Sequence, residues 1–102
     1  MEFSDKMYIG SNAAEKIDQI KNRLMKNEFV PFVHVITLPL TDDGVLEIYP
    51  AYILRQKLYQ SMPIKVVGIA ADHGEVCRLV QQMADDCMRA TGSVDLRTYL
   101  KF

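Results

Sequence analysis

The sequence predicts a mixed α/β fold, a three-stranded mixed sheet packed by three main helices and a short C-terminal helix. Three observations carry that reading. Ile64-Lys65-Val66-Val67-Gly68-Ile69-Ala70-Ala71 is a mostly apolar run, as a strand covered on both faces requires. It leads into Asp72-His73-Gly74-Glu75, where a capping carboxylate is followed three residues later by a glutamate. Second, the stretch from Phe32 to Leu38 is mostly apolar on both alternating faces. Phe32, His34, Ile36 and Leu38 lie on one face and Val33, Val35 and Thr37 on the other, which fits a central strand. Third, Ile17, Ile20 and Leu24, and later Val76, Val80, Met83 and Cys87, recur at helical spacing.

In chain order, residues 1–10 read as a loose arm or as a short strand at Lys6–Ile9 closed by Gly10. A helix is expected from Asn12 to about Lys26, with Asn12 and Glu15 at capping-box spacing. Pro31 cannot donate to a ladder, so it belongs at the start of the first clear strand, and Pro39 marks its end. Thr41-Asp42-Asp43-Gly44 is a turn signal, and Val45–Tyr49 returns as the partner of a hairpin. Pro50 opens a helix over about 51–61 with Ala51, Leu54 and Leu58 as its inner stripe. Pro63 stops that helix and admits the strand 64–71. The next helix runs from His73 to about Ala90, with Gly92 as its C-terminal stop. Ser93 caps a last short helix, docked through Val94, Leu96, Tyr99 and Leu100. If Lys6–Ile9 is also a strand, the order becomes ferredoxin-like, β-α-β-β-α-β. The three-stranded arrangement, with Phe32–Leu38 in the middle, is preferred because Lys-Met-Tyr-Ile is too polar for an interior strand.

A chain of 102 residues predicts one domain, able to bury roughly two thirds of its unfolded surface. Hydrophobic residues at 49% argue against disorder. Twelve basic against thirteen acidic residues leave a net charge of -1, which removes the electrostatic case for nucleic acid or an anionic membrane as partner. No apolar run approaches the ~20 residues of a membrane span, and the first residues lack a signal-peptide order. Cys77 and Cys87 fall in one expected helix, about 15 Å apart along its axis, too far to bridge. Two reduced thiols point to the cytoplasm.

Candidate chemistry is sparse. Asp72, His73, Gly74 and Glu75 stand where open α/β sheets place ligands, beyond a strand and at a helix start, so they form the candidate site for an anion or small molecule. Plain capping explains Asp72 and Glu75 equally well. His73 and Cys77, four apart, share a helix face, a spacing that suits a metal or an activated thiol. No third ligand accompanies them, so neither a metal site nor a cofactor is expected. His34 reads as a core histidine with one nitrogen satisfied. Asp42-Asp43 reads as turn chemistry, and Asp85 as an ion-pair partner of Arg89 at i+4.

Tyr52, Arg55, Gln56 and Tyr59 offer a surface rich in residues favoured at interfaces. The open edges of a small sheet also need covering, which makes a homodimer the expected state. The functional expectation is therefore a non-catalytic interaction module that self-associates, or contacts another protein. The alternative is a ligand-binding domain at Asp72-His73, and a Cys/His enzyme stands last.

Overall fold

The computed structural model describes residues 1–40, 44–93 and 95–100. Four strands form one mixed sheet: β1 (Glu2–Ile9), β2 (His34–Thr37), β3 (Glu47–Pro50) and β4 (Lys65–Ala70), in the order β1-β4-β2-β3. β1 runs parallel to β4, and β2 runs antiparallel to both of its neighbours. The expected trio β3-β2-β4 is present, with β2 in its middle. The strand count is corrected from three to four, because residues 2–9 are a full strand rather than an arm. Lys6-Met7-Tyr8-Ile9 tolerates this place because β1 is an edge strand and needs only one neighbour. The element order resembles the ferredoxin-like alternative, but β1 runs antiparallel to β2, so those two do not form a parallel split unit. The crossover from β3 to β4 does, with β2 lying between them.

Both pairings of β4 carry irregularities. β4 has one residue, Val67, in excess over β2 between Gly68 and Val66. β1 takes five steps from Phe3 to Tyr8 while β4 takes two, so β1 arches away from the sheet over residues 4–7.

Helices cover both faces. On one lie α1 (Ser11–Ala14), α2 (Ile17–Met25) and a 3₁₀ turn (Ala51–Arg55), enclosing Ala13, Ile20, Leu24, Val35, Leu54, Val66 and Ile69. On the other lie α4 (His73–Thr91) and α5 (Leu96–Tyr99), enclosing Ile36, Val67, Ala70, Val76, Met83, Cys87 and Leu96. Burial of this apolar surface at about 25 cal/mol per Å² is the main force holding the layers together.

The helix expected over Asn12–Lys26 is two helices, broken where Lys16 leaves the helical region at φ −116°, ψ 20°. Asn12 does not cap: Gly10 is the N-cap residue of α1, and Glu15 lies at its other end. The helix expected over 51–61 divides at Gln56, whose ψ of 143° separates the 3₁₀ turn from α3 (Lys57–Gln60). Ala51 and Leu54 are buried as expected, but the break leaves Leu58 exposed. α4 matches its expected limits, with Asp72 at its N-cap and Gly92 closing it in the left-handed region at φ 71°. Asp95, not Ser93, is the N-cap residue of α5, while the Ser93 hydroxyl accepts the Asp95 N–H at 3.2 Å. The turn residues Thr41-Asp42-Asp43 and the docking residue Val94 lie outside the described residues.

Candidate functional site

The sequence-predicted junction is centred on a buried carboxylate. Asp72 stands in extended geometry at the N-cap and its Oδ1 accepts the Glu75 N–H at 2.9 Å. That much of the capping box forms. Glu75 does not return to Asp72; it is 1% exposed and points inward. Its Oε1 accepts the Ala71 N–H at 2.9 Å, and its Oε2 accepts the Asn12 N–H at 2.6 Å and the Ser11 hydroxyl at 3.4 Å. One side chain thus ties the end of β4 to the start of α1. Gly10 makes room for it: a Cβ there would lie 2.0 Å from Glu75 Oε1. The carboxylate is spent on three donors of its own chain, so at this atom the junction is a clamp. Gly10, Ser11 and Asn12 are the partners that sequence spacing missed, because the bonds span 63 and 64 residues.

Asp72, His73 and Gly74 remain exposed beside the clamp. His73 Nε2 lies 3.6 Å from Cys77 Sγ, so the i, i+4 pair forms on the surface. Two cavities, of about 500 and about 490 Å³, are lined by other residues. Among the described residues no three His, Cys, Asp or Glu side chains converge as a metal site would need. Both cysteines are free, Cys77 exposed and Cys87 buried with its thiol donating to the Ser93 carbonyl at 3.2 Å. His34 opens β2 opposite Ala70 and Pro50, and its buried Nδ1 has no hydrogen-bond partner among the described residues.

The ion pair expected between Asp85 and Arg89 belongs instead to Asp86 and Arg89, at 3.0 Å. Asp86 faces β1, where the Tyr8 hydroxyl donates to its Oδ2 at 2.6 Å and Gln82 donates to its Oδ1 at 2.7 Å. The Tyr8 bond, then the Gln82 bond, hold Asp86 below the usual carboxylate range. Burial, then the bond to Asp86, push the Tyr8 phenol above its ordinary value.

The Tyr52, Arg55, Gln56 and Tyr59 surface is not one helix face, because the chain bends at Gln56. Tyr59 turns inward, edge-on to Tyr49 with ring centroids 5.4 Å apart. Tyr52 is 52% exposed, and the Arg55 guanidinium lies 5.8 Å over the Phe29 ring. This places two of the four residues, Tyr52 and Arg55, beside the loop into β2. There, Phe32 was expected on the sheet face with His34. It instead occupies a turn with Pro31, at φ 59°, and is 87% exposed. Pro31, which favours the turn position just before it, was the signal that could have placed Phe32 outside the strand.

No helix among the described residues is long and apolar enough to cross a membrane. Compared with known protein families, curated proteins and solved structures, the chain matches none.

Proposed function

We propose that this protein is a non-catalytic interaction module, working in the cytoplasm, whose partner is a second copy of the same chain. The observation that carries the reading is Phe32. An aromatic residue in the left-handed region costs about 1–2 kcal/mol of backbone strain, and its ring also stands in water. At that exposure the ring packs on little of its own chain. Phe29 and Tyr52, each 52% exposed, extend the apolar surface around the same loop and the 3₁₀ turn. The Ala51 N–H donates to the Val33 carbonyl at 2.8 Å, which holds these two segments side by side.

A second copy suits the patch because Glu28 and Arg55 flank it with one charge of each sign, so a two-fold contact can pair them across the axis. The short, Pro50-terminated edge of β3 and the arched edge of β1 favour this loop surface over strand pairing as the contact.

Sedimentation across a concentration series tests the proposal. The mass is expected to rise from 11.7 kDa toward twice that value, and Phe32→Ala with Tyr52→Ala is expected to weaken the association at least about tenfold. A concentration-independent monomer, or a dimer indifferent to both substitutions, overturns it. The alternative of an anion or small-molecule site at Asp72-His73 draws no comparable support, since Glu75 is already committed.

A further inference from the structure

The arch of β1 and helix α5 together enclose the cavity of about 490 Å³. That volume falls within the range of roughly 300–1,000 Å³ typical of small-molecule sites. Elsewhere the sheet keeps its two apolar layers apart. At the arch they meet. Phe3 and Met7 pack on the layer beneath α1 and α2, and Tyr8, Tyr99 and Leu100 on the layer beneath α4, yet all of them line this one cavity. Each is half-buried, so the cavity extends both cores toward the surface. The register is the cause: β1 takes five steps where β4 takes two, and residues 4–7 have no partner on β4.

The polar part of the wall carries no net charge. It comes from the arch, where Asp5 and Lys6 are opposite in sign, adjacent and exposed. An ionic ligand gains from one of them and loses to its neighbour. Its own charge would also leave water for an apolar wall, a cost that only a committed counter-charge offsets. The Tyr8 hydroxyl is bonded to Asp86, whose carboxylate also accepts from Gln82 and Arg89, so Tyr8 offers the cavity chiefly its ring. The Ser4 hydroxyl accepts the Lys6 N–H at 3.2 Å and keeps its own proton to donate, which makes it a neutral polar group.

We infer that this cavity binds a neutral small molecule with an apolar or aromatic body, held by the rings and aliphatic groups of both layers and not by charge. Such a ligand adds apolar burial to both cores at once, so its binding stabilises the fold. The site is separate from the Phe32 surface, and its occupancy requires no dimer.

Phenylpropanol, phenylpropionate and phenylpropylamine are the probes, alike in ring and chain and bearing no charge, a negative charge and a positive charge. Titration of the whole chain is followed by backbone amide NMR shifts and by melting temperature. The alcohol is expected to give saturable shifts at Phe3–Tyr8 and Tyr99 and to raise the melting temperature, with each ion bound at least about tenfold more weakly. Asp5→Asn with Lys6→Gln is expected to bind the alcohol as the parent chain does. Tyr99→Ala removes one wall and is expected to weaken that binding about tenfold. Where Tyr99→Ala loosens α5, the ranking of the three probes on the parent chain still decides. Alcohol shifts that fail to saturate or fall elsewhere overturn the inference. So do an ion that binds as tightly, loss of alcohol binding in Asp5→Asn with Lys6→Gln, or unchanged binding in a folded Tyr99→Ala chain.

Discussion

The β4–α4 junction and the turn into β2 lie at the same end of the sheet, since the antiparallel register puts His34 opposite Ala70. They are built in contrary ways. At the junction local preference, burial and hydrogen bonding agree: Asp72 caps, Glu75 fills a buried place, and each of its oxygens has a donor. At the turn they disagree: Phe32 holds a backbone conformation suited to glycine and exposes its ring, with His34 Nδ1, two residues on, unpartnered among the described residues. Chemically able side chains are thus consumed by folding in the first region. The second carries the unrecovered costs, and such places are where a contact outside the monomer is expected.

The largest expected effect would break the first half of that contrast. Glu75→Ala leaves the Ala71 and Asn12 N–H groups without their acceptor, and chemical denaturation should record a loss of about 3–5 kcal/mol. Gly10→Ala drives a methyl group into the same carboxylate and should cost about 1–3 kcal/mol. The two should not add, because once Glu75 is truncated the atom in the way of the new Cβ is gone. Additive costs would mean that Gly10 and Glu75 serve separate ends.

What the sequence made legible follows from the range of each interaction. The β4 run, the Asp72 cap, the extent of α4 and its Gly92 stop were readable because each is settled within a few residues. β1 was not, since an edge strand recruited by β4 needs little apolar character of its own. The helix breaks at Lys16 and Gln56 leave no Pro or Gly signature; they serve packing that periodicity alone does not express. At the candidate site Asp72 was read correctly as a cap, but two of Glu75's three donors, Ser11 and Asn12, sit more than sixty residues away and no local spacing reports them. Phe32 was misplaced for the opposite reason: strict alternation assigns it to the strand, and the turn at Pro31 overrides the alternation.

A second contact ties β1 to α4 and responds to pH where its neighbours define the sign. Asp86 is held below the ordinary carboxylate value chiefly by the Tyr8 hydroxyl, so its contribution is present above the unfolded value of about 3.9 and lost as pH falls from there through the depressed folded value. Tyr8→Phe removes the largest cause. Its stability deficit against the parent chain should therefore be complete at neutral pH and shrink below about pH 4, read by urea denaturation at stepped pH. A deficit that persists unchanged into acid would show that Tyr8 acts through packing alone.

The smallest effect on stability bears most directly on the contrast. Phe32→Gly relaxes a residue at φ 59° and withdraws an 87% exposed ring, while glycine's greater unfolded-state freedom offsets part of the gain. The net expectation for the monomer is a stabilisation of about 0.5 kcal/mol, measured by denaturation at a concentration low enough to dissociate any dimer. A residue retained for the fold would show the reverse, a loss on removal. Stabilisation of the monomer together with loss of concentration-dependent mass would separate the two regions cleanly. Glu75 would then be a side chain the fold requires, and Phe32 one that it only tolerates.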